Sequence, residues 1–126
     1  MADPMETLAA SLRDALNARD MTAFRALIAE NARWGYGGPD DERTCHNRNE
    51  IIATYKRLLA TGVTGTVVET TSGPRGVACI LEVEWPDNAP NRRGPTIYQA
   101  FMVTDGLITF IEGHDDREQA IAAISN

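Results

Sequence analysis

Apolar residues at helical spacing predict four helices, three of them in the first half of the chain. Each stripe follows an Asp or Asn that can accept a hydrogen bond from a free backbone N–H and so cap a helix: Asp3, Asp20, Asn47 and the pair Asp115-Asp116. The apolar faces are Met5, Leu8, Leu12 and Leu16; Phe24, Leu27 and Ile28; Ile51, Ile52, Tyr55, Leu58 and Leu59; and Ala120, Ile121 and Ile124.

Elsewhere the apolar period is two, which predicts strands. A short strand is expected over residues 32–36, a loop over residues 37–44, and four strands between residues 63 and 114, with a tight hairpin at Asp105-Gly106. Along residues 77–85, the side chains of Val77, Cys79, Leu81, Val83 and Trp85 should face the core, and Glu82 and Glu84 of the alternate set should face water. This order of elements predicts an α+β fold with helices packed on one face of a curved antiparallel sheet.

Composition narrows the class of protein. The chain has 126 residues, which is consistent with one domain over residues 1–126, and its net charge of −6 argues against nucleic acid as a partner. No apolar run approaches the roughly 20 residues of a membrane span. The N-terminus lacks a signal-peptide pattern, so a cytoplasmic location is expected, with Cys45 and Cys79 as free thiols. Because the Cys and His residues lack ligand spacing, no metal site is predicted.

Several strings of residues, in this order, resemble the nuclear transport factor 2-like superfamily in its SnoaL-like or ketosteroid-isomerase-like branch. The resemblance covers nearly the whole chain. It is carried by residues 15–20 (Ala-Leu-Asn-Ala-Arg-Asp), 32–34 (Ala-Arg-Trp), 45–51 (Cys-His-Asn-Arg-Asn-Glu-Ile) and 98–108 (Tyr-Gln-Ala-Phe-Met-Val-Thr-Asp-Gly-Leu-Ile), and by His114-Asp115-Asp116. It implies a cone-shaped, cystatin-like α+β barrel, in which a curved antiparallel or mixed sheet wraps the N-terminal helices around an apolar pocket. It also implies a homodimer through the outer sheet face and no cofactor.

His114 and Asp115 are the candidate catalytic residues. Histidine titrates near neutral pH and can act as a general acid or base, and a neighbouring carboxylate can orient it. The alternatives are a structural histidine at a strand end and Asp residues that only cap the following helix. Which of Asp115 and Asp116 would face a pocket is left open by the sequence.

The candidate substrate-binding residues are aromatic: Trp34, Tyr36, Trp85 and Tyr98. In a cone they would line the cavity and stack on a flat ligand, and the alternative is plain core packing. The superfamily's isomerases also need a carboxylate base on a strand, but the core-facing positions from Val77 to Val83 are apolar, so that pattern is not met. An Asp-Arg-Asp relay would have to use Arg48, which is expected to pair with Glu50 or with solvent.

Two functions are compatible with these observations. The first is an acid–base enzyme, an isomerase, cyclase or dehydratase acting on a hydrophobic substrate, of which a polycyclic molecule is one example. The second is a non-catalytic ligand-binding or dimerising accessory module, which the absence of polar groups on the core-facing strand favours. In both cases the expected partner is a hydrophobic small molecule.

Overall fold

The computed structural model describes residues 3–35, 45–87 and 94–125. The elements in chain order are α1 (Pro4–Asn17), α2 (Met21–Ala26), β1 (Ile28–Gly35), α3 (Arg48–Ala60), β2 (Thr64–Ser72), β3 (Gly76–Glu84), β4 (Thr96–Thr104), β5 (Leu107–His114) and α4 (Arg117–Ile124). The predicted order of helices and strands and the α+β class are confirmed.

The predicted caps begin all four helices. The side chains of Asp3, Asp20, Asn47 and Asp116 accept a hydrogen bond from a backbone N–H two or three residues further on, at 2.8, 3.0, 2.9 and 2.8 Å respectively. These bonds satisfy donors that a helix N-terminus otherwise leaves free. For the last helix the cap is Asp116, so Asp115 lies one residue before it.

The five strands form one mixed sheet in the order β1-β5-β4-β3-β2. Strand β1 runs parallel to β5, and the other neighbours are antiparallel. The prediction that Ile28 belongs to the second helix is wrong, because Ile28 is the first residue of β1 and pairs with Ile108 of β5. This parallel pairing involves residues far apart in sequence, and helical spacing alone cannot reveal it.

Helices cover both faces of the sheet. The inner face carries α1, α2 and α3, and its buried residues include Val77, Cys79 and Leu81. The outer face is partly covered by α4, whose Ile124 packs in a second cluster with Ala78 and Ala100. The prediction that the helices pack on one face of the sheet does not hold for α4, which lies over Ala78 and leaves only 3% of it exposed. Glu82 and Glu84 do face solvent.

Strand β2 contains a bulge that changes which residues point inward. Val67 pairs with Leu81 and Glu69 pairs with Ile80, so Val68 is the extra residue, and it is 52% exposed. Because one inserted residue reverses the alternation of faces, Glu69 lies on the outer face. There its carboxylate binds Arg117 of α4, with the Nη2–Oε2 distance at 2.6 Å. The hydrogen bond from Arg117 holds the pKa of Glu69 below its usual value.

The side chain of Asn17, at the end of α1, binds the backbone just before this bulge. Asn17 Oδ1 accepts from the Val67 N–H at 2.7 Å, and Asn17 Nδ2 donates to the Val67 carbonyl at 3.3 Å. Strand β2 is an edge of the sheet, so these backbone groups point away from β3. The Asn17 side chain thus binds backbone groups that a further strand would otherwise bind, and it fixes α1 to the edge of the sheet.

Replacing Asn17 by alanine should lower the free energy of unfolding by about 1–3 kcal/mol, since two partly buried backbone groups lose their partner. Urea unfolding followed by far-UV circular dichroism measures this change. Asn31→Ala, at an exposed position of β1, is the matched control and should stay within about 0.5 kcal/mol of wild type. Equal effects of the two substitutions would contradict the role given to Asn17.

Candidate functional site

A cavity of about 590 Å³ lies between the inner sheet face and the helices. In the described part of the chain, its walls come from α1, α2, α3 and every strand except β5. The described residues that line it are Leu16, Arg19, Met21, Trp34, Gly35, Cys45, Thr54, Tyr55, Arg57, Leu58, Leu59, Val63, Gly65, Leu81, Val83, Trp85, Ile97 and Gln99. Most of these side chains are aliphatic or aromatic, so the interior of the cavity is apolar.

Aromatic rings form two parts of the wall. Trp34 of β1 stacks on Tyr55 of α3, with ring centroids 4.8 Å apart and planes at 26°. Phe24 meets the same Tyr55 ring edge-on at 4.8 Å, which holds the stack in place. Trp85, just after β3, donates its indole N–H to the Gly94 carbonyl at 3.1 Å. Trp34 and Trp85 therefore both present ring surface to the cavity, and their contact with a ligand stays a prediction.

Gln99 is the most deeply buried of the polar side chains that the described cavity wall contains. It lies on β4 between Ile97 and Phe101 on the inner face, and only 3% of it is exposed. Its Oε1 atom has no hydrogen-bond partner within the described part of the chain. A buried amide oxygen without a partner costs on the order of 1–3 kcal/mol, so this atom is poised to accept a hydrogen bond from a ligand. Sequence reasoning missed Gln99, although one polar residue on an otherwise apolar inner face was the available signal.

The predicted catalytic pair lies elsewhere. His114 and Tyr98 face each other across β4 and β5 on the outer face of the sheet, and Tyr98 packs against the cluster beneath α4. His114 Nε2 is 3.2 Å from Glu112 Oε1 on that face. Asp115 is exposed, and its backbone N–H donates to Gln119 Oε1. Among the described residues, His114, Asp115 and Tyr98 do not line the cavity.

Tyr36 and Arg48 are the other residues for which the sequence predicted a contact. Tyr36, a predicted substrate-binding residue, lies outside the described residues. Arg48 does not pair with Glu50: its Nη1 donates to the Ile28 carbonyl at 3.4 Å, and its Nε is buried. The carboxylate of Glu50 instead accepts hydrogen bonds from the backbone N–H of His46 and from the side chain of Asn47. The capping interaction thus removes Glu50 as a partner for Arg48.

The two cysteines have different surroundings. Cys79 is fully buried on β3, and burial raises the pKa of its thiol to about 12. Cys45 lines the cavity, with its Sγ 3.4 Å from Thr54 Oγ1.

Within residues 3–35, 45–87 and 94–125, no group of three or more His, Cys, Asp or Glu residues is arranged to hold a metal ion. Over the same ranges, no helix combines the length and apolar character needed to cross a membrane.

The profile of the SnoaL-like domain matches residues 9–111, which is most of the chain. The chain therefore belongs to the SnoaL-like domain family, within the nuclear transport factor 2-like superfamily. No curated protein sequence matches it.

Solved structures share the fold at low sequence identity. Bal32a, from a soil-derived mobile gene cassette, superposes with a TM-score of 0.71 at 20% identity, covering 98% of this chain and 100% of its own. A candidate ketosteroid isomerase from Kribbella flavida gives 0.66 at 20% identity, covering 90% and 80%. A candidate polyketide cyclase from Xanthomonas campestris pv. campestris gives 0.66 at 19% identity, covering 97% of each chain. At such identities the likeness shows the fold alone.

Replacing Gln99 by leucine should raise the free energy of unfolding of the ligand-free protein by about 1–3 kcal/mol, because a buried amide oxygen without a partner among the described residues is removed. Urea unfolding measures the change. Gln119→Leu is the matched control: Gln119 is exposed and accepts a hydrogen bond, so its loss should not stabilise the protein. Destabilisation by Gln99→Leu would mean that the amide is fully hydrogen-bonded in the native protein.

Cys79 should react with a thiolate-specific disulfide reagent at pH 8 only as fast as the protein unfolds, since its thiol is buried and its pKa is raised to about 12. Cys45→Ser isolates this thiol for measurement. Cys79→Ala isolates Cys45, which borders the cavity and should react faster. Rapid labelling of Cys79 in the native protein would contradict its placement in the core.

Proposed function

We propose that this chain binds an apolar small molecule inside the cavity and orients it through a hydrogen bond to Gln99. The observation that carries the proposal is Gln99 Oε1, which is buried in a mostly apolar interior and has no hydrogen-bond partner among the described residues. A few polar groups placed among apolar walls are the usual arrangement in small-molecule sites. A ligand hydroxyl is a suitable partner, because it can donate to the amide oxygen or accept from the amide nitrogen.

The apolar walls of the cavity provide the favourable free energy of ligand binding. Apolar surface removed from water contributes about 25 cal/mol per Å², and the Trp34–Tyr55 stack offers a flat ring face to a ligand. A cavity of about 590 Å³ lies within the range that holds ligands of drug-like size, roughly 300–1,000 Å³. The proposal therefore requires no rearrangement of the fold.

The neighbours support small-molecule chemistry, since two of them are named as candidates for a ketosteroid isomerase and a polyketide cyclase. An isomerase or cyclase activity through His114 and Asp115 stays a prediction. The geometry gives it less support than it gives binding, because neither residue is among the described residues of the cavity wall. A homodimer through the outer sheet face also stays a prediction, and α4 covers part of that face within one chain.

Gly65 provides the test of where the ligand binds. A Cβ atom built on Gly65 points to Leu81 Cδ2 at 3.5 Å and Val83 Cγ2 at 3.7 Å, which are ordinary contact distances. Gly65→Val should therefore fill cavity space without a clash, and valine suits a strand. We expect the affinity for a neutral apolar probe, N-phenyl-1-naphthylamine, to fall at least about tenfold, because the removed volume is volume that the ligand would occupy.

Binding can be followed by intrinsic fluorescence, because both tryptophans of the chain, Trp34 and Trp85, line the cavity. The matched control is Thr66→Val, which adds a valine at the next, exposed position of β2 and should bind the probe as wild type does. Saturable binding that Gly65→Val leaves intact would place the ligand outside the cavity. No binding to the wild type would overturn the proposed function for this class of probe.

A further inference from the structure

Resting on the proposed function, we infer that the ligand is an anionic amphiphile: a carboxylic acid with an apolar body, whose carboxylate is bound by Arg19 and Arg57 at the rim of the cavity. Both arginines line the cavity, and among its described residues they are the exposed ones. They come from different elements: Arg19 lies in the turn after α1, and Arg57 in the last turn of α3.

The sign of the charge at the rim is opposite to that of the whole protein. The chain has 18 acidic and 12 basic residues and a net charge of −6. Nevertheless, the described lining residues include two arginines and no Asp, Glu or His. An average sample of this acidic surface would carry carboxylates, so the composition of the chain does not account for a purely cationic rim. Two guanidinium groups at an apolar opening favour an anion there.

The backbone at Arg19 has an unfavourable conformation. Its φ is +55°, in the left-handed region, and it directly follows Ala18, the C-cap of α1. Glycine is the preferred residue at this position because a Cβ atom is costly there. An arginine at a position suited to glycine is locally unfavourable. A contribution of its side chain to the adjacent cavity gives a reason for its presence.

Both arginines keep hydrogen-bond donors available. Arg19 Nη1 donates to the Asn17 carbonyl at 2.8 Å, and Arg57 Nη2 lies 3.4 Å from Thr54 Oγ1. Neither forms an ion pair with a carboxylate of residues 3–35, 45–87 or 94–125. A guanidinium has five N–H donors in a planar fork that matches a carboxylate, so each arginine can still bind an acid group.

The charges of Arg19 and Arg57 also determine which end of the ligand faces outward. An ionised carboxylate inside the apolar interior would lose its hydration without gaining a cationic partner. At the rim it keeps contact with water and with both arginines, while the apolar body fills the space between Trp34 and Leu81. The acid end therefore faces outward, and the inner end of the ligand lies near Gln99.

The test uses three probes with the same twelve-carbon chain: dodecanoate, dodecanol and dodecyltrimethylammonium. The two ionic probes are titrated below their micelle concentrations and dodecanol below its solubility limit, at pH 8 and low ionic strength, with tryptophan fluorescence as the readout. We expect dodecanoate to bind at least about tenfold more tightly than dodecanol, and the cation to bind most weakly. Because the rim is exposed, added salt should reduce the preference for the acid.

The double variant Arg19→Gln/Arg57→Gln should lose the preference for dodecanoate, so that it binds the acid no more tightly than dodecanol. The control is Arg13→Gln/Arg75→Gln, which makes the same change in net charge at two exposed arginines outside the described cavity wall. This control should keep the preference, so an effect of overall charge is separated from an effect of the rim.

The outcomes separate the two proposals. Equal binding of acid and alcohol to the wild type would overturn the inference about the carboxylate and leave the apolar cavity site standing. A preference for the acid that survives in the Arg19/Arg57 variant would also overturn it, because another group would then bind the charge. If none of the three probes binds and the neutral naphthylamine also fails, the proposed function itself is overturned.

Discussion

The position of the bulge in β2 is the constraint on which both faces of this structure depend. Before the bulge, Gly65 and Val67 point inward. After it the alternation is reversed, so that Glu69 points outward to Arg117 of α4. A β2 without the bulge would direct a carboxylate toward the inner face and separate α4 from its ion pair. Asn17 binds the backbone of Val67, beside the extra residue, and so fixes α1 relative to the same point.

The sequence was sufficient for the elements whose signals are local. Helix caps such as Asn47 and Asp116, the Asp105-Gly106 turn and the order of helices and strands all depend on residues close together in the chain. Asp105 has a φ of +53°, which Asp tolerates better than most residues. The resemblance to the SnoaL-like family depended on the order of these same local strings.

The site was harder to predict because both faces of the sheet are covered. On β4, one face carries Ile97 and Phe101 and the other carries Ala100 and Met102, so hydrophobicity does not distinguish inside from outside. Tyr98 and His114, whose side chains can donate or accept a proton, both lie on the outer face of the sheet. Which face of β4 points inward is decided by its pairing with β3 and β5, and that pairing depends on the tertiary structure. The helical contributions of Arg19 and Arg57 depend likewise on how α1 and α3 pack against the sheet.

Several features of the cavity are unfavourable for stability alone. An amide oxygen is buried without a partner among the described residues, an arginine occupies a left-handed conformation, and a glycine leaves open a space that a side chain could fill. Local conflicts of this kind are expected where a protein binds something that the isolated chain lacks. They converge on one cavity, whereas the His114–Glu112 contact on the opposite face involves no such conflict.

The same distribution of groups bears on the choice between catalysis and binding. Proton transfer needs an acid or base within hydrogen-bond reach of the reacting atom. The polar side chains that the described cavity wall offers are an amide, hydroxyls, a thiol, two indoles and two guanidinium groups. These groups suit holding and orienting a ligand, and the guanidinium groups would stabilise an anion that is already formed. The proposed retention of an acidic, apolar molecule therefore needs only groups that line the cavity, whereas His114 and Asp115 would have to act from outside the described wall.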